Sequence, residues 1–220
     1  MDNLENIVKP VIEYTKKNVR PKRFQHIENV VTLSHKLALA LNLNPIEAIV
    51  SGYLHDSLKE EKSSNLIAIA KQYKMPLSDI DLANGHLLHG PVASLVAKSK
   101  FNILNKDVLD AIAYHTLGHK AMCNMAKVVF LSDCLEEDRD INYTYPIWIS
   151  LLNLGKSNKK KFTKKFISNL NFNDYQLNVD KAILTACNQN IKYLIVENKI
   201  IHPQSIEARN YYLAKCLNLN

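Results

Sequence analysis

With 220 residues and 47% hydrophobic side chains, the chain has enough apolar material for a single domain with a real core. Its formal charge of +7 favours an anionic partner, while no apolar run approaches the roughly 18 residues of a membrane span and the first nine residues, with Asp2 and Glu5, lack a signal-type apolar stretch, so a cytoplasmic protein without membrane contact is expected. Cys123, Cys134, Cys187 and Cys216 stand singly, which excludes a CxxC zinc knuckle or a compact disulfide framework and leaves reduced, mostly buried thiols.

Five glycines, and apolar residues recurring at three- and four-residue spacing, predict an all-α chain with no period-2 strand. The first helix is expected to start near Pro10 and to end at Pro21. Over 24–43, Ile27, Val30, Val31, Leu37 and Leu41 form one apolar stripe, with His26 in its first turn. Asn44 and Pro45 read as the N-cap and first position of the next helix, which runs through Val50 and Leu54 into the doublet His55-Asp56. Lys59, Glu60, Glu61 and Lys62 read as a solvated turn, followed by a helix over 64–73 and a break at Asn84-Gly85. Leu87-Leu88-His89-Gly90-Pro91 is a helix entry, and a helix over 108–114 delivers His115 at its end. The most apolar helix, 122–135, buries Asp133 in its pattern, where an unpaired carboxylate needs a cation or a strong hydrogen-bond partner. From 141 to about 173 the chain becomes Asn/Lys-rich and reads as a helical insertion or a mobile flap, and helices over 179–198 and 205–217 close it. Lys156, Lys159, Lys160, Lys161, Lys164 and Lys165 carry much of the excess charge, and a solvated face is the plain reading of such a run.

Four histidines and two aspartates, His26, His55, Asp56, His89, His115 and Asp133, form a dispersed set of imidazole and carboxylate donors suited to borderline divalent metals. Adjacent ligands at a helix end can enter one pocket, and the Asp56 carboxylate can bridge two cations. A pair of metals about 3.5–4 Å apart suits phosphoester or phosphoanhydride cleavage, because it activates a water and neutralises phosphoryl charge. Each histidine alone is as well explained as an ordinary core or surface residue. Position argues further, since three of the candidates fall at helix ends.

The ordered series Arg23-Phe24-x-His26, Leu54-His55-Asp56-x-x-Lys59, LLHGPVA over 87–93, Tyr114-His115-Thr116-x-Gly118, Lys127 through Asp133 and Ile201-His202-Pro203 through Asn210 resembles the YqeK family of bacterial HD-domain hydrolases. The likeness runs from about residue 10 to 215, apart from the insertion. It implies a single HD domain over 1–220, a helical bundle around a dinuclear, iron-type centre, and symmetrical hydrolysis of diadenosine tetraphosphate to two ADP. Carried over by position, it implies His26, His55, Asp56 and Asp133 on one metal and His89 and His115 on the other, with Asp56 bridging and acting with a metal-bound water. Manganese, nickel and zinc suit the same donors.

For substrate binding the resemblance points to Arg23, Lys59, Thr116, Gly118, His119, Arg139 and Arg209. His86 is a rival ligand outside the matching block, and His35 and His202 read as structural. The chain departs from the family where Leu135-Glu136-Glu137-Asp138-Arg139 keeps the arginine but lacks a proline, and where the Lys-rich insertion replaces or lengthens the following helix. The expected partner is a dinucleoside polyphosphate; a homodimer is compatible with this reading. The alternatives are hydrolysis of another nucleotide, or a helical protein binding nucleic acid through the lysine run, the less favoured partner.

Overall fold

The computed structural model describes residues 4–155 and 162–219. Among them are twelve α-helices, two short 3-10 segments and no strand. We number the helices α1 Leu4–Asn18, α2 Pro21–Ala40, α3 Pro45–His55, α4 Ser63–Gln72, α5 Asp79–Ala83, α6 His89–Phe101, α7 Lys106–Tyr114, α8 Asn124–Leu135, α9 Ile141–Leu151, α10 Lys164–Ser168, α11 Val179–Val196 and α12 Pro203–Cys216. The chain divides into two compact units: Met1–Thr116 with Met122–Val129, and Leu117–Ala121 with Phe130–Asn220.

In the first unit, local chemistry sets where the ligand-bearing helices begin and end. Pro21 occupies the first turn of α2, where its missing N–H costs nothing. Asn44 caps α3 by accepting from the Ile46 N–H at 2.9 Å, and Pro45 follows as the first helical residue. Asn105 caps α7 by accepting from the Asp107 N–H, while its amide donates to Glu47 at 3.0 Å and so ties α7 to α3. Val50, Leu54, Leu66, Val92, Val108 and Ile112 are fully buried in one cluster. Each such side chain contributes roughly 1.5–3 kcal/mol of transfer free energy.

Two glycines allow helices to come closer than a Cβ permits. A methyl at Gly52 of α3 would sit 2.8 Å from Cγ2 of Val31 on α2. One at Gly90 of α6 would meet the Ala113 and Ile112 carbonyl oxygens and His115 Cε1, each at 3.0 Å.

In the second unit, α9 packs on α11. The Tyr143 hydroxyl donates to Asn190 at 2.6 Å, the Ser150 and Thr185 hydroxyls lie 2.8 Å apart, and buried Trp148 stacks on Phe172. Helix α12 starts where the His202 ring accepts from the Gln204 N–H at 3.2 Å, in keeping with a structural role for that histidine. Gln204 and Ser205 then donate to the Gly118 and Leu117 carbonyls at 2.6 and 3.1 Å, which fastens the 117–121 segment to α12.

Several expectations change. Helix α1 begins at Leu4, with Pro10 inside it. Residues 141–151 are a packed helix with Ile147, Trp148 and Leu151 buried, because the apolar face between the polar Asn and Tyr residues finds α11. Of the lysine run, Lys164 pairs with Asp138 at 2.6 Å; Lys156, Lys159, Lys160 and Lys161 lie outside the described residues. Cys134 and Cys187 are buried, but Cys123 is half-buried and Cys216 exposed.

Candidate metal centre

Four imidazoles of the first unit converge on one carboxylate. His26 projects from the second turn of α2, His55 is the last residue of α3, His89 is the first of α6, and His115 follows the last turn of α7. Asp56 caps α3 and is buried. Its Oδ2 lies 3.7 Å from His26 Nε2 and 3.8 Å from His55 Nε2. Its Oδ1 lies 3.2 Å from His89 Nε2 and 3.3 Å from His115 Nε2. Each carboxylate oxygen thus faces its own pair of imidazole nitrogens, and the groups His26, His55, Asp56 and Asp56, His89, His115 share only Asp56.

The other ring nitrogens decide what those Nε2 atoms can do. Nδ1 of His55 meets the Gly52 carbonyl at 2.6 Å, Nδ1 of His89 meets that of His86 at 2.5 Å, and Nδ1 of His115 meets that of Ile112 at 2.9 Å. A carbonyl oxygen only accepts, so in each ring Nδ1 carries the hydrogen, and the neutral ring then presents the Nε2 lone pair. This backbone anchoring, repeated at the carbonyl three residues earlier, is the usual support of a metal-binding histidine. His89 Nε2 and His115 Nε2 then oppose each other at 3.0 Å and both face Asp56 Oδ1. Lone pairs on two nitrogens and an oxygen at such distances repel unless a cation lies among them. The donor set fits two divalent cations bridged by Asp56.

Charge agrees with that fit. Burial works to raise the Asp56 carboxyl, but the surrounding imidazoles of His55, His115 and His89 and the Lys59 ammonium outweigh it and hold the group well below the usual carboxylate range. Burial pushes the His89 imidazole down, against the pull of Asp56 and with help from Lys59, so it stays neutral and able to ligate. Lys59, expected in a solvated turn and, from the resemblance, as a substrate-binding cation, brings Nζ to 3.2 Å from His89 Nε2, and the Thr116 hydroxyl lies 3.0 and 2.9 Å from His89 and His115 Nε2. Arg23 donates from Nη1 to Asp56 Oδ2 at 3.1 Å, with about a third of its side chain exposed.

The remaining expected residues, Asp133, Gly118, His119, Arg139 and Arg209, belong to the second unit. Asp133 is half-buried rather than buried, and its Oδ1 accepts from Arg139 Nη2 at 2.7 Å. Arg209 donates to Asn188 and Asn210, and His119 faces the Lys120 carbonyl. His86 supplies its backbone carbonyl to His89. The sequence reading missed Gly52 and Gly90; the signal for both was a glycine inside an apolar helical pattern beside a histidine.

Comparisons with known proteins agree with this geometry. The HD domain family model matches residues 23–138, which include all four histidines and both aspartates. The chain is 25% identical to a Staphylococcus aureus protein named symmetrical bis(5'-nucleosyl)-tetraphosphatase, over 90% of each chain. It is 23% identical to a protein of the same name from Halalkalibacterium halodurans, over 92% of this chain and 95% of that one. A crystal structure from Clostridium acetobutylicum, described as a predicted HD superfamily hydrolase involved in NAD metabolism, superposes with a TM-score of 0.78 at 26% identity, covering 94% of this chain and 97% of that one. The paired histidines around a bridging aspartate and the match over more than half the chain lead to one conclusion: the chain belongs to the HD domain family.

Proposed function

We propose that the chain is a metal-dependent hydrolase that cleaves diadenosine tetraphosphate symmetrically, leaving ADP as the only product. The observation that carries this reading is the division of the Asp56 carboxylate between two pairs of imidazoles. The names of full-length relatives supply the substrate class.

His26, His55, Asp56, His89 and His115 would hold two divalent cations, which would supply Lewis-acid charge and lower the pKa of water for phosphoanhydride cleavage. Iron is the metal we assign first; manganese, nickel and zinc suit the same ligands. The ligand role for Asp133 rests on the family resemblance.

The chain's own groups handle the substrate. Asp56, held ionised, can bridge two positive charges without first losing a proton. The Arg23 guanidinium is fixed against Asp56 with part of its surface open, a suitable donor to phosphoryl oxygens. Lys59 adds a flexible positive charge beside His89. Thr116 can pass its hydroxyl hydrogen between two imidazoles or turn it to a phosphate. Roles for Gly118, His119, Arg139 and Arg209 in binding follow from the resemblance alone.

Chromatography of the products tests the reading. Diadenosine tetraphosphate with manganese or ferrous iron should give ADP only, and Asp56→Ala should abolish turnover. Formation of AMP plus ATP, or retained turnover in Asp56→Ala, would overturn it.

A further inference from the structure

The second unit contains a cavity of about 630 Å³ between α9 and α11, of a size that suits a small organic ligand. Its chemistry is mixed in a specific way. Gln189 donates through Nε2 to the Asn142 and Tyr143 carbonyls at 3.4 and 3.2 Å, which fixes the orientation of its amide and leaves Oε1 as an acceptor. Tyr193 is 51% exposed, and Lys199 donates from Nζ to its hydroxyl at 2.9 Å and lies 4.8 Å from the ring centroid, which leaves the other face of the ring for a base. Asp140 commits Oδ1 to capping α9 at 2.6 Å. Arg139, braced by Asp133, and exposed Lys192 put two cations on the rim.

We propose that this cavity binds an adenine nucleotide. The base stacks on Tyr193 and gives its exocyclic amine to Gln189 Oε1, the ribose diol reaches the second oxygen of Asp140, and phosphate meets Arg139 and Lys192. A plain inorganic anion would use only the two cations, and an apolar ligand would leave the amide and carboxylate unpaired. Because Gln189 presents an acceptor, guanine, with a carbonyl where adenine carries its amine, is the poorer fit. The proposal requires neither metal nor turnover, and of the residues that the family resemblance gives to substrate binding it uses Arg139.

The test is calorimetric titration of ADP and GDP into the full-length protein in EDTA, paired with photocrosslinking by 8-azido-ADP and peptide mapping. Expected are saturable ADP binding stronger than GDP binding, a crosslink within 139–143 or 189–196, and weakening of about tenfold in Tyr193→Ala, the usual loss for a base–aromatic stack. Gln189→Leu should erase the preference for adenine. Absence of saturable binding, a crosslink elsewhere, or unchanged affinity in Tyr193→Ala overturns the proposal. Repeating the titration with diadenosine tetraphosphate on Asp56→Ala separates the sources. If Tyr193→Ala weakens it too, the cavity takes one end of a dinucleotide; if only ADP is affected, it takes a free nucleotide.

Discussion

The Nε2 atoms of His89 and His115 lie 3.0 Å apart while both rings anchor Nδ1 on the backbone carbonyl three residues earlier. Two lone pairs at that distance need positive charge between them. Burial disfavours a proton on His89, and a bound divalent cation would satisfy both nitrogens and the Asp56 carboxylate together.

Metal removal should therefore cost stability. A cation present at about a hundred times its dissociation constant adds roughly 2.7 kcal/mol, which for a chain of this size is about 5–10 °C in melting temperature. Differential scanning fluorimetry with and without EDTA checks this, and metal analysis should find two ions per chain. Asp56→Ala should lose both, because each site shares that carboxylate.

Arg23→Ala should separate substrate binding from metal binding. The guanidinium touches Asp56 Oδ2 but is not a donor of electron pairs, so metal content should hold near two. A hydrogen bond to a charged group is worth about 1.5–3 kcal/mol, and kcat/KM should fall about ten- to a hundredfold. Loss of metal in this variant would reassign Arg23 to the architecture of the centre.

The two close helix approaches give a third prediction. Gly52→Ala places a methyl 2.8 Å from Val31, and Gly90→Ala places one 3.0 Å from His115 Cε1 and two carbonyl oxygens. Overpacking of this kind costs about 1–3 kcal/mol. Both variants should melt earlier, but Gly90→Ala should also weaken metal binding, since it pushes directly on a ligand ring. Equal metal affinity in the two variants would show that His115 can shift without consequence.

Thiol chemistry should follow burial. Burial, with the neighbouring Asp133 charge, pushes the Cys134 thiol up to about 11, and burial pushes Cys187 up to about 12. A raised thiol pKa favours the neutral form, so both stay protonated and unreactive until the pH approaches those values or the fold opens. Native labelling with iodoacetamide at pH 8 should modify Cys216, spare Cys134 and Cys187, and reach all four cysteines in guanidinium, as mass spectrometry would count.

Much of the helical order was legible in the residues, for local reasons. Asn44-Pro45 carries its own cap and start, His55 and His115 stand where apolar periodicity stops, and His202-Pro203 opens α12. The 141–173 stretch stayed between a helical insertion and a mobile flap because the apolar positions of 141–151 make sense only with α11 beside them. Lys59 was placed in a solvated turn by its neighbours and in the site only by the family resemblance, since nothing in a charged turn shows that one side chain folds inward to His89.

By itself, the sequence offered six candidate donors, with His55, Asp56 and His115 at helix ends and His89 at a helix start, because caps, prolines and apolar stripes act over a few residues. Only the tertiary structure decided how the donors are shared. His26 with His55 on one oxygen of Asp56, and His89 with His115 on the other, depend on the close approach of α3 to α2 at Gly52 and of α6 to α7 at Gly90, contacts between residues far apart in the chain.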